Sequence, residues 1–124
     1  MLELRSEKSG NVVVVRCAGR IVHGPEADSL RSVVLSAENA RIVVLDLSEL
    51  ESIDAGGLAE LVLLHLWTRA HNTQLQLVNP SNFVFEMFTR TRLDRVLQIS
   101  SFRKALRVLS GADCARAEFA AAAR

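Results

Sequence analysis

Three features of the sequence predict an α/β fold: a mixed, mainly parallel sheet of four to five strands, about four helices and an N-terminal antiparallel hairpin. Short apolar runs rich in β-branched residues, Val12–Ala18 and Ile42–Leu45, alternate with stretches of helical spacing, which implies crossover helices over a parallel sheet. A turn signal, Ser9-Gly10-Asn11, separates the first two extended stretches, so these pair as a hairpin. The segment 42–62 runs from a buried strand through Asp54-Ala55-Gly56-Gly57 into a helix. That places a small-residue turn at the carboxyl end of a strand, the edge where open α/β sheets bind ligands and partners.

Taken in order, residues 2–6 read as a weak first strand and Val12 to Ala18 as a strong second one, because four consecutive valines favour extended backbone. Gly19 to Pro25 is a loop, and Pro25 suits the first turn of a helix running to about Ala37 with Ala27, Leu30, Val33 and Val34 inward. A third strand spans about Arg41 to Leu47, and a polar turn follows it before Ile53. A second helix spans about Ala55 to His71, capped by Asp54, whose carboxylate can accept from free amides two or three residues on and whose charge suits the helix dipole. Asn72-Thr73 breaks it. Leu75, Leu77 and Val78, with Gln74 and Gln76 alternating, mark a fourth strand. Asn79 is expected to cap a third helix, with Pro80 at its first position and Phe83, Val84, Met87 and Phe88 carried to about Arg90. Val96–Ile99 is a short last strand, and Ser100 or Ser101 caps a last helix through about Leu109, with Phe102, Ala105, Leu106 and Leu109 inward and Gly111 ending it.

A chain of 124 residues with 49% apolar content fits one domain with one core, here residues 1–111. The Ala-rich segment 112–124 lacks an apolar stripe and reads as a frayed or disordered tail. A net charge of +1 makes no general case for nucleic acid or membranes. Only Cys17 and Cys114 are present, so a reducing cytoplasm is the expected location and Cys17 is expected in the core. The N-terminus lacks the apolar core of a signal peptide, and no apolar stretch approaches the length of a membrane span.

The carboxyl-end loops are expected to converge on one surface holding Arg20, His23, Asp54 and Ser81. His23 with Asp54 is the one pair that acid–base chemistry could use, and with no supporting cluster of titratable groups the chain is not read as an enzyme. His23, His65 and His71 have no metal-site spacing, and no Gly-rich phosphate loop is followed by Lys-Ser or Lys-Thr, so neither metal nor cofactor is expected. His65 shares a face with Leu58, Leu61 and Val62 and is expected at the core edge. The second helix is apolar nearly all round, more than covering a sheet requires. Either a neighbouring helix buries the excess, or Leu64 and Trp67 on its far side belong to a surface for a partner or for a second copy of the chain, Trp being an effective anchor. Toward the C-terminus, Arg90, Arg92, Arg95, Arg103, Lys104 and Arg107 outnumber Glu86 and Asp94; without interleaved aromatics this favours a solvated face or an acidic protein over nucleic acid.

Asp46-Leu47-Ser48, followed by Ile53-Asp54-Ala55-Gly56-Gly57-Leu58-Ala59, resembles the signature of the STAS family, the domain of anti-sigma factor antagonists. In that family a strand ending Asp-Leu-Ser leads to Ile-Asp-Ser-Ser-Gly-Leu-Gly at the start of the second helix, and the resemblance extends over about residues 10–110. It implies the same layout and a domain that binds an anti-sigma factor, typically one with a kinase domain, through residues including Asp54, Ala55, Gly56, Gly57 and Leu58. The family's usual phosphoacceptor, the first Ser after the Asp, is Ala55 here, and the next residue is Gly56; neither can be phosphorylated. A Gly often precedes the Leu at the exit of the family's third helix, where this chain has Arg92 before Leu93. STAS-like domains also serve transporters, binding an ATPase subunit, and that is the alternative reading.

Overall fold

The computed structural model describes residues 1–37 and 39–100. β1 (Leu2–Ser9) and β2 (Val12–Ile21) form the antiparallel hairpin, with Leu4 opposite Cys17. α1 (Pro25–Leu35) crosses to β3 (Ile42–Ile53), α2 (Ala55–Ala70) to β4 (Gln74–Val78), and α3 (Asn82–Arg90) with a 3-10 turn (Leu93–Arg95) to β5 (Gln98–Ser100). The sheet order is β1-β2-β3-β4-β5, parallel from β2 onward. Consecutive strands are thus neighbours, and each crossover helix is long enough to return the chain to the starting edge.

The main core forms where Val13, Val15 and Cys17 of β2, Val43, Leu45 and Leu47 of β3, and Leu75 and Leu77 of β4 meet the helices. Leu30 and Val34 of α1, Leu58, Leu61 and Leu64 of α2, and Val84 and Phe88 of α3 close it. Each such side chain removed from water contributes on the order of 2 kcal/mol. Val12, Val14, Ile42, Val44 and Val78, which alternate with these, are buried as well, so the β-branched runs serve both sheet faces. Cys17 lies in the core as expected, and burial pushes its thiol pKa up to about 12, which keeps it a packing residue.

The expected fold class holds, with three helices among the described residues. The expected helix to Leu109 and the tail 112–124 lie outside them, as do Cys114, Arg103, Lys104 and Arg107. Five boundaries differ. β1 continues to Ser9 because the hairpin stays paired from Leu2↔Gly19 to Ser9↔Val12, and β2 continues to Ile21 because it pairs with β3 as far as Ile21↔Ile53. β3 continues to Ile53, where Ser48–Glu51 reads as a polar turn: β2 supplies pairing partners through two register shifts, ending at Ile21↔Ile53. Ser81 caps α3 in place of Asn79, its hydroxyl accepting from the Val84 N–H at 3.2 Å, while Asn79 takes a left-handed φ of 54° and donates its N–H to the Ser100 carbonyl. In α3, Val84 and Phe88 are buried and Met87 half-buried, but Phe83 is exposed. The last strand begins at Gln98, since Leu93–Arg95 turns first.

Arg92 adopts φ 61°, the left-handed conformation that a Gly would supply at no cost. The turn out of α3 therefore keeps its geometry with a side chain in place.

Candidate functional site

The site is built where two chain segments meet at the carboxyl end of β2 and β3. Asp54 follows β3 with extended backbone and caps α2, accepting from the Gly57 N–H at 2.8 Å through Oδ1. The same carboxylate accepts the His23 N–H, with both oxygens 3.2 Å from that nitrogen. The loop after β2 is thereby fixed to the first turn of α2. The Asp54 carboxyl is held below its ordinary value of 3.8, first by the Gly57 N–H and then by the His23 N–H. It is His23's backbone that meets Asp54, which makes the contact a structural clamp and not an acid–base dyad.

The two glycines are set by close approach. A Cβ on Gly57 would overlap the Ile21 carbonyl oxygen and lie 2.8 Å from Ile53 Cγ1. A Cβ on Gly56 would lie 2.5 Å from the Cβ of His23. The small residues after Asp54 therefore let the first turn of α2 seat directly on the end of β2. Ala55 is left exposed on the outer side of that turn, while Leu58 points into the core.

Arg20 is exposed near the same edge, paired in register with Ser52. Ser81 does not join this surface, a correction to the expected convergence. The last β3–β4 pair is Asp46↔Val78, and β3 then continues through Leu47–Ile53, roughly 20 Å of strand at 3.3 Å per residue. The carboxyl edge is stepped, and Ser81 begins α3 on the lower step with its hydroxyl engaged in capping.

The far side of α2 is also corrected. Leu64 is 1% exposed, because α1 packs beside it and closes over that flank. Trp67 is half-buried, its ring stacked on His71 with centroids 4.2 Å apart. The exposed large residues are instead Leu63 (55%) and Leu66 (53%). The helical wheel places Leu63 and Leu66 on one flank, but only the docking of α1 decides which flank stays open. That docking includes an ion pair not anticipated from the sequence: Arg31 of α1 donates through Nε to Glu60 Oε2 at 3.0 Å and through a second nitrogen to Oε1. Glu60 is 4% exposed, so the pair accounts for an acidic residue under the helix interface. Beside Leu63, an apolar groove runs between α2 and the turn after α3, lined by Ala55, Leu58, Ala59, Val62, Leu63 and Leu93. His65 is half-buried at the core edge.

Among the described residues no group of three or more His, Cys, Asp or Glu is placed to hold a metal ion. No helix among them is long and apolar enough to cross a membrane.

This fold is shared with solved structures. An anti-sigma factor antagonist from Mycobacterium paratuberculosis superposes with a TM-score of 0.73 at 21% identity, covering 87% of this chain and 93% of that one. The anti-sigma factor antagonist SpoIIAA in its unphosphorylated form gives a TM-score of 0.71 at 18% identity, covering 88% and 100%. A sulfate transporter family protein from Wolinella succinogenes gives 0.70 at 22%, covering 81% and 85%. These likenesses establish the fold. No curated protein matches the sequence. The STAS domain family matches residues 3–105, nearly the whole described chain and the site with it. The chain belongs to the STAS domain family.

Proposed function

We propose that this domain is a protein-binding regulator that captures an anti-sigma factor with a kinase domain, in the cytoplasm, and so frees a sigma factor for transcription. The observation that carries this reading is the clamped start of α2. Asp54 holds the His23 loop and the first helical turn as one rigid unit, with Ala55 exposed on its outer side. A preorganised patch loses little freedom on binding, which favours recognition by a protein surface. No chemistry is assigned to the site, because Asp54 is engaged by backbone amides. The antagonist structures that share the fold support the same reading.

In this reading Ala55 stands where the family carries its phosphoacceptor. Phosphate at that point would act by repulsion and desolvation inside the contact. With Ala55 the domain is competent for its partner at all times, or is controlled by another input. Binding of a transporter ATPase subunit is the second reading; the missing acceptor suits a constitutive subunit, and a transporter-family protein shares the fold.

The test is a pull-down from the native cell lysate with the wild-type chain and with Ala55→Glu, followed by direct titration of the captured protein. An anti-sigma factor captured by the wild type and lost with Ala55→Glu supports the proposal. Capture of a transporter ATPase by the wild type replaces it with the second reading. Equal capture of one partner by both variants removes the start of α2 from the interface.

A further inference from the structure

The exposed side of α2 carries Ala55, Ala59, Leu63, Leu66 and Ala70, all five solvent-exposed and none charged. Their spacing of four, four, three and four residues keeps them on one stripe along the whole helix. Val62 flanks the stripe on the side of Leu93, and Trp67 on the side of α1.

The stripe is complementary to itself when reversed. Set antiparallel to a copy of itself about the Val62–Leu63 midpoint, it brings Ala55 opposite the other copy's Ala70, Ala59 opposite its Leu66, and Val62 opposite its Leu63. Ala59 packs against the other copy's Leu66, and the Ala55–Ala70 pairs at the two ends let the helices approach closely. The same alignment brings the Arg69 guanidinium, which makes no hydrogen bond or ion pair among the described residues, toward the end of the other helix that Asp54 caps. The two helix dipoles also oppose each other favourably. At 1.5 Å per residue the 16-residue helix is about 24 Å long. At a helix diameter of roughly 10 Å the face is smaller than the ~800 Å² per partner of a standard interface, which fits a weak dimer that forms as concentration rises.

We propose that the chain forms a two-fold symmetric homodimer through antiparallel packing of α2 on α2, with Leu63 and Leu66 at the centre of the interface. The dimer covers Ala55, so it competes with any partner that binds the start of α2, and its test needs no such partner. Such an isologous contact buries the exposed leucines and closes on itself.

The test is analytical ultracentrifugation of the full chain from low micromolar to near-millimolar concentration. The expected result is a concentration-dependent dimer. Leu63→Lys and Leu66→Lys are each expected to weaken it by at least about 100-fold, since every substitution places two charges in an apolar seam. Both positions are exposed in the free domain, so the circular dichroism spectrum and melting temperature remain those of the wild type. In a Cys114→Ser background, Ala59→Cys mixed with Leu66→Cys is expected to cross-link, whereas Leu66→Cys alone is not. A chain that stays monomeric throughout, a dimer indifferent to both lysines, or efficient self-cross-linking of Leu66→Cys would each overturn the proposal.

Discussion

The backbone N–H of His23 lies 3.2 Å from both carboxylate oxygens of Asp54, thirty-one residues along the chain. One side chain thus caps α2 and anchors the loop that follows β2. Helix start and loop are expected to loosen together when the carboxylate is lost.

That linkage has a pH signature. The Asp54 carboxyl is held below its ordinary value of 3.8, so its contribution to stability is present above that pH and is lost as pH falls through the lowered folded value. Urea midpoints measured at pH 7 and in the range below about pH 4 should show Asp54→Asn losing less on acidification than the wild type. Asn keeps a capping oxygen but not the charge, so at pH 7 Asp54→Asn should lie between the wild type and Asp54→Ala. An acid limb unchanged in Asp54→Asn would remove this carboxyl from the account.

The glycines should differ in their tolerance of a methyl group. Gly57→Ala drives a Cβ into the Ile21 carbonyl oxygen, held within the β2–β3 ladder, and is expected to cost about 2 kcal/mol or more. Gly56→Ala puts a Cβ 2.5 Å from the Cβ of His23, whose backbone Asp54 holds, so it is expected to destabilise too, by less than Gly57→Ala because the helix propensity gained offsets part of the cost. Thermal denaturation of the two variants gives the ranking directly.

On α2 the docking of α1 divides neighbouring leucines into two classes. Leu64→Ala empties a buried position and should cost about 2–5 kcal/mol, whereas Leu63→Ala and Leu66→Ala should stay within about 0.5 kcal/mol. These values apply at protein concentrations low enough that self-association does not contribute. Equal losses at Leu63 and Leu64 in denaturant titrations would contradict the helix orientation described above.

The turn after α3 should gain from relief of its left-handed residue. Arg92→Gly is expected to raise stability by about 1 kcal/mol, the cost of φ 61° on a residue with a Cβ being partly offset by the freer unfolded chain. Arg92→Val, β-branched at the same φ, should lower it.

Phosphorylation offers a separate check on the role proposed for Ala55. Incubated with ATP and an anti-sigma factor kinase that binds the domain, Ala55→Ser should take up phosphate at the exposed first turn of α2, while the wild type should not. Stoichiometric modification of wild-type Ser52 under the same conditions would show that the acceptor has moved instead of being lost.

The sequence by itself determined the order of strands and helices, the hairpin, the Asp54 cap and the inward-facing β-branched runs. Each rests on neighbours in sequence: period, turn chemistry, capping and propensity act over a few residues. The Asp54-Ala55-Gly56-Gly57 turn was legible for the same reason, and so was the family to which it belongs. Only the tertiary structure decided where β3 ends, because Ser48–Glu51 looks like a turn until β2 offers it a ladder. It also separated Ser81 from Asp54, since the height of each loop depends on how far one strand outruns the next. Leu64 and Leu63 are adjacent and alike in composition. One is covered and the other open because α1 arrives over a single flank of α2, anchored by Arg31 on Glu60, and that long-range choice has no local signal.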